Sequence, residues 1–103
     1  MIHHIRKEDF EKEVVASSVP VVIDFFATWC GPCMAQGRIL EKLDSEWNGS
    51  IKICKCDVDE DPDFAEMFCV ETIPTLVFYK DGKNMGQYSS VLEKEGIKRM
   101  LEI

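Results

Sequence analysis

A chain of 103 residues can bury one core but not two, and residues 1–103 read as a single domain. A hydrophobic fraction of 46% and a charged fraction of 30% are those of a soluble globule, and a net charge of −7 makes polyanionic nucleic acid a poor partner. No apolar run reaches the length of a membrane span, and Met1 to Arg6 contains no apolar signal core. With five cysteines at irregular spacing, free thiols in a reducing, cytoplasmic interior are expected.

In chain order, Ile2 to Ile5 reads as a short first strand. Lys7 to Ser17 reads as a helix with Phe10, Val14 and Val15 on one face, broken by Pro20. Val21 to Phe26 is apolar on both faces, as in a central strand buried from both sides. The helix between these two strands predicts a right-handed crossover and parallel pairing. Asp24 is the anomaly of that run. A carboxylate there must be paired, hydrated or protonated with a raised pKa, unless the strand end delivers it to solvent.

Trp29-Cys30-Gly31-Pro32-Cys33 follows at once, and Met34 to Trp47 reads as a helix with Leu40, Leu43 and Trp47 at helical spacing. Strand, tight turn and helix put Cys30 at or next to a helix N-terminus, where free N–H groups and the macrodipole favour an anion. A thiolate is such an anion. Gly31 and Pro32 set the turn, and Pro in a first helical turn loses no hydrogen bond. Cys33 lies one turn in, within reach of a small disulfide ring with Cys30. Gly37 weakens the helix by about 1 kcal/mol against Ala, and Asn48-Gly49 ends it.

Ile51 to Asp57 is the next strand. Lys55 shares a face with Ile51 and Ile53, so either it snorkels to the surface or it finds a partner, Asp24 on a neighbouring strand being the obvious one. Cys54 and Cys56 face the other way with Lys52, as small buried hydrophobes. Asp57 to Asp61 has the acidic spacing of a calcium loop but fails it, because Pro62 and Phe68 occupy the positions that need Gly and Glu. Asp61 instead reads as the N-cap of a short helix, with Pro62 in its first turn, running to about Phe68. Thr72-Ile73-Pro74-Thr75 precedes a strand, Leu76 to Lys80, and the X–Pro bond could be cis. Asp81-Gly82 is a two-residue hairpin signal leading to a strand around Asn84 to Ser89. Glu93 to Ile103 closes the chain as a helix with Ile97, Met100 and Leu101 facing inward.

A pair of cysteines two residues apart is also half of a zinc site. That reading needs two further ligands. Cys54 and Cys56 lie within one strand with no turn to deliver them, and the adjacent His3 and His4 would point to opposite faces, so no metal is expected. Two sulfurs that can exchange electrons with another disulfide are the better reading.

Taken together, Asp24, Phe25 and Ala27, the Trp29 to Cys33 motif, Lys55, Ile73-Pro74-Thr75 and Gly82 resemble the thioredoxin family over essentially the whole chain. The resemblance implies an α/β thioredoxin fold: a five-stranded mixed sheet, ordered 1-3-2-4-5, flanked by four helices. It implies a redox-active disulfide, Cys30–Cys33, with Cys30 as the attacking thiol and Cys33 as the buried resolving thiol. Asp24 becomes the acid–base candidate that deprotonates Cys33 through water, tuned by Lys55. Pro74 becomes a cis residue beside the sulfurs. Trp29, Gly31, Pro32, Thr72, Ile73, Pro74 and Ser90 become the surface on which a substrate strand lies. The implied partners are disulfide-containing protein substrates and a reductase, NADPH- or ferredoxin-linked; no bound cofactor is implied, and a monomer is expected. A disulfide isomerase or oxidase, or a docking subunit that does no chemistry, remain the alternatives.

The chain departs from the family pattern at several places. Met34 stands where many members carry Lys, Arg38 where a Pro usually kinks the second helix, and Phe26 where Trp is common. Thr72 and Ser90 both stand where Gly is frequent, which bears on partner choice. Cys69 has no counterpart, and is either an inert thiol or the site of a regulatory disulfide.

Overall fold

The computed structural model describes residues 1–103. Its strands are β1 (Ile2–His4), β2 (Val21–Phe26), β3 (Lys52–Asp57), β4 (Thr75–Lys80) and β5 (Lys83–Tyr88). They form one mixed sheet in the order β1-β3-β2-β4-β5, the order that the resemblance implies. β1 and β2 each pair with β3 in parallel, while β2–β4 and β4–β5 are antiparallel. The crossover from β1 to β2 therefore skips one place: the two strands share a direction, but β3 lies between them.

The regular helices are α1 (Gly31–Trp47), α2 (Pro62–Met67) and α3 (Lys94–Leu101). The expected helix over Lys7 to Ser17 is instead a 3-10 turn, Lys7–Asp9, followed by a wider π-type turn, Glu11–Val15. Tertiary anchors hold both ends of that segment. Lys7 N–H donates to Asp61 Oδ2 at 2.8 Å. The Phe10 ring packs edge-on against Phe64, Phe68 and Tyr79, and Val14 is buried. The backbone takes the wider turn, with Ala16 N–H bonded to Glu11 O, and the local helical pattern yields.

Alternation along the strands divides the core in two. Ile23, Phe25, Cys54, Cys56 and Val77 face Val14, Phe64 and Phe68. Val22, Ile53, Leu76 and Phe78 face Leu40 and Leu43 of α1 and Ile97 and Leu101 of α3. Burying each of the Val, Leu, Ile and Phe side chains among these contributes about 1.5–3 kcal/mol. β2 sits at the centre of both layers, and Asp24 is the one charged residue on it. At the far end of the sheet, Asp81 and Gly82 take φ of 53° and 75°, the left-handed pair that a two-residue hairpin requires.

Candidate active site

β2 ends at Phe26, and α1 begins at Gly31, so the five-residue motif is the corner between the central strand and the longest helix. Cys30 is the N-cap residue of α1, and Pro32 lies in its first turn. The capping acceptor is the Cys30 sulfur itself, which receives the Cys33 N–H at 3.2 Å. The expected helix start at Met34 moves three residues earlier, because the dipeptide Gly31-Pro32 is already helical. Cys30 and Cys33 are joined in a disulfide, and both are buried, at 6% and 3% exposure.

On the other side of the sulfurs is the loop before β4. The Ile73–Pro74 peptide is cis, Pro74 is buried, and Ile73 O lies 3.9 Å from Cys30 Sγ. Ile73 packs against the Ala27, Cys30 and Cys33 cluster. Thr72, Gly31 and Pro32 are exposed around this contact. Thr75 Oγ1 donates to Thr72 O at 2.6 Å and lies 3.1 Å from Ser89 Oγ. β5 ends at Tyr88, Ser89 meets Thr75 just beyond it, and the exposed Ser90 is the next residue. Trp29 is 71% exposed, and its Nε1–H donates to Asp59 Oδ2 at 2.8 Å.

Behind Cys33, Asp24 and Lys55 are direct register partners on β2 and β3. Lys55 Nζ donates to Asp24 Oδ2 at 2.7 Å, and lies 4.6 Å from the Phe26 ring centroid. Asp24 Oδ1 is buried and has no hydrogen-bond partner. Burial pushes the Asp24 carboxyl above the usual range, and the Lys55 ammonium offsets only part of that rise. Lys55 and Cys33 both line a cleft of about 340 Å³, whose outer wall includes Met34, Arg38 and Glu41 of α1. A Cβ at Gly37 would lie 3.6 Å from Lys55 Nζ, so α1 passes directly over the ammonium.

The remaining cysteines are apart from this corner. Burial pushes the Cys54 and Cys56 thiols up to about 12, which leaves both neutral and unreactive at physiological pH. Cys69 is exposed with a φ of 54°. No group of His, Cys, Asp or Glu side chains forms a metal cluster.

The structure thus gathers Trp29, Cys30, Gly31, Pro32, Cys33, Ile73 and Pro74 at one corner, with Asp24 and Lys55 behind it; Ser90 is exposed and follows Ser89, which meets Thr75. Three residues escaped the sequence reading. Asp59 was legible only as part of an acidic turn. Thr75 was visible only as the end of the Ile73-Pro74-Thr75 motif. Gln36 lies on the buried stripe Cys33, Gln36, Leu40 and Leu43 of α1, and a lone amide in an apolar stripe was the available signal.

A disulfide whose first sulfur caps a helix beside a cis-proline loop, on a sheet of this order, defines a dithiol–disulfide oxidoreductase. The family model described as Thioredoxin matches residues 1–103, and the chain belongs to the thioredoxin family. It is 40% identical over 91 residues to a thioredoxin of Haemophilus influenzae, covering 88% of this chain and 85% of that one. It is 36% identical over 95 residues to a thioredoxin of Chlorobaculum thiosulfatiphilum, covering 92% and 88%. Against thioredoxin 1 of Nostoc sp. the identity is 34% over 93 residues, covering 90% and 87%. The chain is a protein-disulfide reductase of the thioredoxin type, working by dithiol–disulfide exchange through Cys30 and Cys33.

Proposed function

We propose a division of labour among the site residues. In the reduced protein the Cys30 thiolate attacks one sulfur of a substrate disulfide. That bond breaks, one substrate thiolate leaves and takes a proton, and a mixed disulfide joins Cys30 to the substrate. Cys33 loses its proton and attacks the Cys30 sulfur. The second substrate thiol departs, and two electrons have passed to the substrate. Cys30 is suited to the first role because its sulfur occupies the N-cap of α1, where the Cys33 N–H and the helix dipole favour a negative charge. This is the observation that carries the assignment.

Asp24 serves as the acid–base group for Cys33, acting through water, and Lys55 biases its proton affinity. The buried, raised carboxyl and the shared cleft of Cys33 and Lys55 support that reading. A substrate segment lies in an extended form across Trp29, Gly31 and Pro32, against the backbone of Thr72 and Ile73 and beside Pro74, with Ser90 as the edge of the groove. The chain acts as one thioredoxin domain, monomeric and cytoplasmic, as an electron carrier in cell redox homeostasis. A thioredoxin reductase, NADPH- or ferredoxin-linked, returns it to the dithiol form. It binds no cofactor of its own.

Cys33→Ser tests the order of the two sulfurs. The variant is expected to accumulate mixed disulfides on Cys30 when mixed with oxidised protein substrates, read by mass spectrometry of non-reduced peptides. An absence of any trapped partner on Cys30 would overturn the assignment.

A further inference from the structure

Gln36 is fully buried on the stripe of α1 that also carries Cys33 one turn earlier. Both polar atoms of its amide bond one residue of another segment. Nε2–H donates to Leu92 O at 3.0 Å, and Oε1 accepts from Leu92 N–H at 2.7 Å. Leu92 belongs to the irregular stretch between β5 and α3, which includes Ser90. The other end of that stretch is held by the contact of Ser89 with Thr75, which also bonds Thr72 of the cis-proline loop. An apolar side chain at position 36 would fill the same space but leave both Leu92 backbone groups without this partner.

We infer that Gln36 is a positioning residue that fixes the Ser90 wall of the substrate groove relative to the helix bearing the two sulfurs. The inference rests on the groove reading given above. Two clamps hold the wall, Thr75 with Ser89 at one end and Gln36 with Leu92 at the other, so a protein substrate meets a preformed edge. A small disulfide that touches only the sulfurs does not use that edge.

Gln36→Met, which keeps the side-chain length and removes both hydrogen bonds, separates these cases. For insulin reduction KM is expected to rise about tenfold with kcat within about twofold, the signature of lost binding rather than lost chemistry. Reduction of dithiobisnitrobenzoate and the midpoint potential of the Cys30–Cys33 pair are expected to stay at wild-type values, while amide exchange at Leu92 quickens. Gln36→Glu keeps the acceptor for Leu92 N–H and should restore part of the insulin KM. Equal losses on both substrates, or a shifted potential, would overturn the inference by placing Gln36 in the service of the dithiol. Ser90→Trp tests the groove itself: an unchanged insulin KM there would remove the groove reading. A raised KM in Ser90→Trp with none in Gln36→Met would remove only the role of Gln36.

Discussion

Asp24 ties the stability of the fold to pH. Its neutral form is favoured by burial, so the folded protein binds this proton more tightly than the unfolded chain. The resulting stabilisation is complete below the unfolded carboxyl pKa and is lost as pH rises through the higher folded value. Asp24→Asn removes the titration. Its stability is expected to fall less than that of the wild type between pH 4 and pH 8, measured by urea unfolding across that range. The same variant should slow insulin reduction while still forming the Cys30–Cys33 disulfide. The pairing of Asp24 with Lys55 was legible in the sequence as one of two alternatives, because a carboxylate and an ammonium each broke an apolar pattern on adjacent strands. Gln36 broke a pattern too, but a neutral amide can be satisfied by any nearby backbone, and no local rule names Leu92 as its partner.

Elements whose ends are chemically marked were readable. Asp61 accepts N–H bonds from Phe64 at 3.2 Å and from Lys7 at 2.8 Å, so one side chain starts α2 and anchors the segment after β1. Asp61→Ala is expected to cost about 1–2 kcal/mol by denaturant unfolding, toward the upper end of cap deletions because two donors lose their acceptor. The hairpin at Asp81-Gly82 and the helix stop at Asn48, whose φ is 46°, were equally plain from residue type. The segment from Lys7 to Val15 was not. Its charges and apolar spacing fit an ordinary helix, and only the distant Asp61 and the aromatic cluster around Phe64 set a different winding. Strand order escaped local reading for the same reason: a parallel crossover fixes direction, and neighbours are chosen by the packing of both sheet faces.

At the scale of the whole molecule, the net charge of −7 acts on encounters rather than on the sulfur chemistry. Disulfide substrates with basic surroundings are expected to be reduced more slowly as salt rises, because the screening length falls from about 30 Å at 0.01 M to about 10 Å at 0.1 M ionic strength. Stopped-flow rates with a basic protein disulfide should fall over that range, and those with an anionic small disulfide should rise. The two-sided core gives these encounters a firm base: β2 is buried from Val21 to Phe25, and the reactive corner is its direct continuation.

The atom that caps α1 is also the atom that is oxidised. In the disulfide form the Cys33 amide meets a neutral sulfur; in the dithiol form it meets one that can carry charge. The beginning of the longest helix therefore registers how many electrons the molecule holds.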